Sequence, residues 1–158
     1  MKILAVSDSH GTLRYLEEAV EREQPNLIVH LGDRERDAQR LSEHYPQVPM
    51  LSVPGNCDHP FPGRQLTLLR ELENVRVMIT HGHPYGVKSG LLTIELAARE
   101  AGAGVVMFGH THRAFCEQHN GLCLLNPGAC GGGRPSYGVV QLTDGEAVCW
   151  ISDFAEED

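Results

Sequence analysis

The chain has 158 residues, which suits one domain with one substantial core, and it is 41% hydrophobic, 22% charged and 6% aromatic, as ordinary globular proteins are. A net charge of −8 argues against a general nucleic-acid binder, which would carry a basic face, and no apolar run reaches the roughly 18 residues of a membrane span. Five cysteines with no CxxC pair argue against a disulfide framework or a zinc knuckle and point to a reducing cytoplasm.

Lys2–Ser7 is expected to form a buried first strand, since it lacks the basic flank and small-residue cleavage site of a signal peptide. Leu13, Leu16, Ala19 and Val20 recur at helical spacing within residues 12–23, and Pro25 stops that helix. A second strand, 27–31, ends at Gly32-Asp33. A helix over 36–44 follows, with Ala38, Leu41 and Tyr45 inward. A third strand, 48–53, ends at Pro54-Gly55-Asn56. Strand and helix alternate here, so a parallel sheet is expected.

Residues 65–72 and 75–80 are expected to pair around Glu73-Asn74. A helix over 91–101 carries Leu92, Glu95, Leu96 and Arg99 as a mixed face. Residues 104–108 make another buried strand, ending at Gly109-His110. Asn120-Gly121 and Asp144-Gly145 each sit between extended runs, which is a strong hairpin signal. The pattern favours an α/β fold of two mixed β-sheets packed as a sandwich and flanked by helices. One domain is expected over 1–154, with an acidic tail over 155–158.

One arrangement recurs five times: a strand ends and metal-type side chains follow at once. The instances are Asp8-Ser9-His10, Gly32-Asp33, Gly55-Asn56, His81-Gly82-His83 and Gly109-His110-Thr111-His112. Ligands of open α/β sheets gather beyond the carboxyl ends of the strands, so these loops are expected to converge. Carboxylates and imidazoles without thiolates suit Mn, Fe, Co, Ni or Zn rather than Ca or a structural zinc site. Two ions about 3.5–4 Å apart, joined by a carboxylate, suit in-line attack on phosphorus.

In order and spacing, the series D-S-H, G-D, G-N, T-H-G-H, G-H-T-H and N-P-G resembles the calcineurin-like metallophosphoesterase superfamily over nearly the whole chain. More narrowly it resembles the small phosphodiesterases of the YfcE/MJ0936 type. The resemblance implies a phosphodiesterase with two divalent ions per chain, manganese foremost, and a water or hydroxide shared between them as nucleophile. It implies Asp8, His10 and His112 on the first ion, Asn56, His81 and His110 on the second, and Asp33 between them. It implies a small phosphate-ester substrate and a homo-oligomer. The alternatives are a phosphomonoesterase and a non-catalytic scaffold like the retromer subunit of the same fold.

Many relatives carry Gly-Asn-His where this chain has Gly-Asn-Cys-Asp. The histidine that would protonate the leaving group is thus replaced by Cys57, and His83 or Asp58 is left to take that part. Asn56, Cys57 and Arg113 are candidates for touching substrate, with Arg34 and Arg134 as further cations. His30, His44 and His119 read as structural histidines, and Cys57 as a small buried hydrophobe. With no room for a cap domain, the site is expected to be open and shallow.

Overall fold

The structure, a computed structural model, describes residues 1–59 and 61–154. The expected acidic tail, 155–158, lies outside the described residues. Ten strands build two mixed five-stranded sheets. The first contains β1 (Lys2–Val6), β2 (Leu27–His30), β3 (Met50–Ser52), β9 (Ser136–Thr143) and β10 (Glu146–Asp153), in the order β10-β9-β1-β2-β3. The second contains β4 (Thr67–Leu72), β5 (Val75–Thr80), β6 (Val105–Met107), β7 (Ala114–His119) and β8 (Leu122–Pro127), in the order β4-β5-β6-β8-β7.

Three parallel crossovers run through α1 (Leu13–Glu23), α2 (Glu35–His44) and α3 (Leu92–Glu100). They make β1/β2, β2/β3 and β5/β6 parallel. Each hairpin pairs antiparallel around the expected turn, and Asn120 and Asp144 take the left-handed backbone that tight turns require. Between the sheets lies a core of Ile3, Val29, Val77, Ile79, Met107 and Leu125 with their neighbours. Leu16 of α1 and Leu41 of α2 cluster with Leu4 and Ile28, and Ile94 of α3 with Met78, Val106 and Leu124.

The expected elements recur within one to two residues at most ends. For α3 the structure adds which face is inner. Ile94 and Ala98 face the sheet, whereas Leu92 and Leu96 stand 68% and 57% exposed. The mixed face expected of Leu92, Glu95, Leu96 and Arg99 is therefore the outer face. There Glu95 pairs with Arg99 and with His119 from the β7 end. The helix presents small and branched residues inward because Val106 and Leu124 already fill the layer beneath it.

Candidate metal centre

The five strands that carry the expected ligand loops are β1, β2 and β3 of one sheet and β5 and β6 of the other, and their carboxyl ends meet at one edge of the sandwich. His110 N–H donates to Asp8 Oδ2 at 3.3 Å, and the His81 ring bonds the Leu31 carbonyl at 2.6 Å. The loops are held in a strained form. Asp8, His10, Asp33, His110 and His112 all adopt left-handed backbone, with φ between 52° and 70°. Such conformations cost about 1–3 kcal/mol each and persist only where the surroundings impose them. Gly55 allows a close approach, for a Cβ there would collide with Asp33 Oδ1.

Two triads have ligand atoms mutually within 4.8 Å: Asp8, His10 and His112, and Asp8, Asp33 and His81. Asp8 is common to both. The His10 and His112 rings stand 5.0 Å apart, centroid to centroid, as do those of His81 and His110. Asn56 Oδ1 lies 3.1 Å from His81 Nε2, and Asp33 Oδ2 lies 3.5 Å from the same nitrogen. Six of the seven expected ligands thus meet through their ligand atoms. His110 joins through its ring and lies outside both triads.

Whether these groups suit cations can be judged from their own needs. Asp8 is fully buried, and its Oδ1 has no hydrogen-bond partner among the described residues. His112 Nε2 approaches that oxygen at 3.1 Å without hydrogen-bond geometry. The Leu31 carbonyl can only accept, so His81 Nδ1 carries a proton. Its Nε2 faces the oxygens of Asn56 and Asp33. Two buried carboxylates side by side are unfavourable unless a positive charge lies among them. Burial opposes ionisation of Asp33. The Cys57 N–H and the neighbouring His81 outweigh it and hold that carboxyl below the usual carboxylate range. An imidazole that gives its second N–H to a backbone carbonyl is how metal-bound histidines are oriented. The residues fit divalent ions.

The remaining expected site residues have other surroundings. Cys57 is exposed, not buried, and its N–H donates to Asp33 Oδ1 at 3.0 Å. The Asp33 charge, and then burial, push its thiol above the usual range, so it is poorly suited to give a thiolate. Asp58 does not face the cluster as an acid. Its two oxygens accept four backbone N–H bonds, from Asp33, Arg34, Glu35 and Gly55, at 2.8–3.0 Å. His83 lies in a single 3-10 turn, with its ring 5.4 Å from that of His81 and 6.1 Å from that of His110. Burial, and then His81, push its pKa down. Arg113 is exposed just before β7, one residue beyond His112. Of the histidines read as structural, His30 is buried, and burial lowers its pKa to about 4. His44 and His119 pair with Glu17 and Glu95.

Sequence reasoning passed over the residues that support the ligands. Asp37 Oδ2 accepts from the Ser9 hydroxyl at 2.8 Å and from the Gly11 N–H at 2.7 Å, on either side of His10. Ser7 donates to Asp8 at 2.6 Å. Asn126 of the N-P-G motif ties the Gly109 carbonyl and the Thr111 hydroxyl to its own turn. A carboxylate in the first helical turn, as Asp37 is, normally reads as a partner of the helix dipole, so only the structure reveals its second bond set.

Comparison with known proteins agrees with this geometry. The model of the calcineurin-like phosphoesterase superfamily domain matches residues 1–145. The chain is 33% identical to the probable metallophosphoesterase YsnB of Bacillus subtilis, over 98% of this chain and 92% of that protein. It is 30% identical to the phosphodiesterase YfcE of Escherichia coli K12, over 89% and 87% of the two chains. Among solved structures it resembles Chaetomium thermophilum Vps29, with a TM-score of 0.80 and 14% identity over 99% and 92% of the chains, a likeness of fold alone. A family match that spans all five ligand loops leaves one conclusion: the chain belongs to the calcineurin-like phosphoesterase superfamily.

Proposed function

We propose that the chain is a phosphodiesterase that holds two divalent ions, manganese foremost, among Asp8, His10, Asp33, Asn56, His81, His110 and His112. The observation that carries this reading is the buried, unpartnered Asp8 Oδ1, with His112 Nε2 3.1 Å away and a second carboxylate, Asp33, in the same cluster. Bound ions would supply Lewis acidity, lowering the pKa of water and neutralising charge that builds on the phosphoryl oxygens. The protein's part is to hold the ligands in place and to receive the ester.

Two hollows are lined in part by residues next in sequence to the candidate ligands, room that supports a diester over a monoester. One, of about 870 Å³, reaches from Cys57 to Arg34, Arg36, His59 and Phe61. The other, of about 720 Å³, reaches from Thr111 to Lys88, Leu91, Arg113 and Phe115. Each joins aromatic rings to cations, and a diester has one substituent for each. Asp58 is committed to backbone donors, so His83 is the candidate to protonate the leaving group. Changing His83 to Gln should then slow hydrolysis of alkyl esters about a hundredfold while sparing p-nitrophenyl esters, whose leaving group needs no proton. Equal losses on both would reject that role.

The full ligand set favours catalysis over a scaffold. Protein stripped of metal and reloaded with Mn, Ni or Zn should hydrolyse bis(p-nitrophenyl) phosphate faster than p-nitrophenyl phosphate. A faster monoester rate would make the chain a phosphomonoesterase, and inertness toward both with every metal would leave the scaffold. Five free thiols fit the cytoplasm proposed for it.

A further inference from the structure

Two buried or half-buried carboxylates near the centre are not among its candidate ligands, and both are bonded to the loops that carry those ligands. Asp58 stands in the loop after β3, two residues beyond Asn56. Its Oδ2 accepts from Asp33 N at 2.9 Å and Gly55 N at 2.8 Å, and its Oδ1 from Arg34 N at 2.9 Å and Glu35 N at 3.0 Å. It therefore ties the loop of Asp33 to the loop of Asn56. It also supplies the start of α2 with the cap that the helix lacks locally, for Arg34 occupies the N-cap position and makes no capping bond with its side chain. Asp37, one turn into α2, reaches the other way. A single oxygen, Oδ2, takes both the Ser9 hydroxyl and the Gly11 N–H. His10, between those two residues, has left-handed backbone that an unbraced loop would leave.

We propose that Asp58 and Asp37 are positioning residues that assemble the metal centre before the ions arrive, by locking the loops of Asp33, Asn56 and His10 to the start of α2. This rests on the metal-centre reading above. The bonding patterns make the two sites differ in a way that a general contribution to stability would not. At position 58 each oxygen serves two donors, so an asparagine must turn its NH2 toward two N–H groups whichever way it lies. At position 37 one oxygen serves both donors, and Oδ1 has no protein donor among the described residues. An asparagine there can keep both bonds with its carbonyl.

The test is titration of metal-free protein with Mn²⁺, read as free Mn²⁺ by electron paramagnetic resonance, with circular dichroism to confirm folding. Asp58→Asn and Asp37→Ala should bind Mn²⁺ at least about tenfold more weakly than the unaltered chain, whereas Asp37→Asn should stay within about threefold. Folded variants that all bind like the unaltered chain, or an Asp37→Asn as weak as Asp37→Ala, would overturn the proposal. An Asp58→Asn chain that folds only when Mn²⁺ is added supports it, since the ion then does the work of the brace. One that stays unfolded in saturating Mn²⁺ makes Asp58 a folding residue and overturns its role. If the unaltered chain itself takes up no Mn²⁺, Ni²⁺ or Zn²⁺, the metal-centre reading fails and this inference with it.

Discussion

The sharpest consequences sit on single side chains. Asp33, Asp8 and His81 offer ligand atoms within 4.8 Å of one another. Asp33→Asn should lower kcat/KM on an aryl diester on the order of a thousandfold, because a neutral amide is a poor bridge between two ions. A variant with near-normal turnover would refute the bridging part, and an unfolded one would make the carboxylate structural. His30 has a different consequence. Folded, it is neutral down to about pH 4, whereas an unfolded histidine takes a proton near 6.5. Between those values the unfolded chain binds the extra proton, so stability rises with pH there. His30 thus takes away about 3 kcal/mol of stability as pH falls from above 6.5 to below 4. Urea unfolding at several pH values should show a shallower acid decline for His30→Gln than for the unaltered chain, and parallel curves would refute the assignment.

At the scale of elements, the strands, helices and hairpins were largely legible. Alternation, helical spacing and Asn-Gly or Asp-Gly turns are local signals, and they mark the elements that formed. The inner side of α3 was not, because a mixed face of Leu92, Glu95, Leu96 and Arg99 names no inner side, and only the layer beneath decides it. The structure turns Ile94 to the sheet. Ile94→Ala should therefore cost about 2–5 kcal/mol in denaturant unfolding, while Leu96→Lys should change stability by no more than about 0.5 kcal/mol. The reverse order would refute that orientation of the helix. The convergence of the candidate ligand loops was legible for a similar reason, each loop following a strand. The braces were not. Asp37 and Asp58 act on backbone groups of loops that are distant in sequence, and no local pattern encodes a bond from Asp37 to Gly11.

At the scale of the whole molecule, charge explains how an acidic chain can attract an anionic ester. Bound ions would reverse the sign at the site, which the formal count of −8 leaves out. The metal-free centre holds carboxylates against each other and loops in strained backbone, so metal should stabilise the fold markedly. With Mn²⁺ at 100 times its Kd the gain should be about 2.7 kcal/mol, seen as a rise in Tm of roughly 5–10 °C over chelated protein. An unchanged Tm would mean that the cluster does not bind the ion.

The centre draws Asp8, His10, Asp33 and Asn56 from loops of one sheet, and His81, His110 and His112 from loops of the other. The dry layer between the sheets, with Val29, Val77, Ile79 and Leu125, is therefore the calliper that sets the gap across which a metal pair would be gripped. Repacking that layer, well away from any ligand, would open or close the jaws. The spacing of the ions, and with it the magnetic coupling of a manganese pair, would register how two stacked sheets sit on one another.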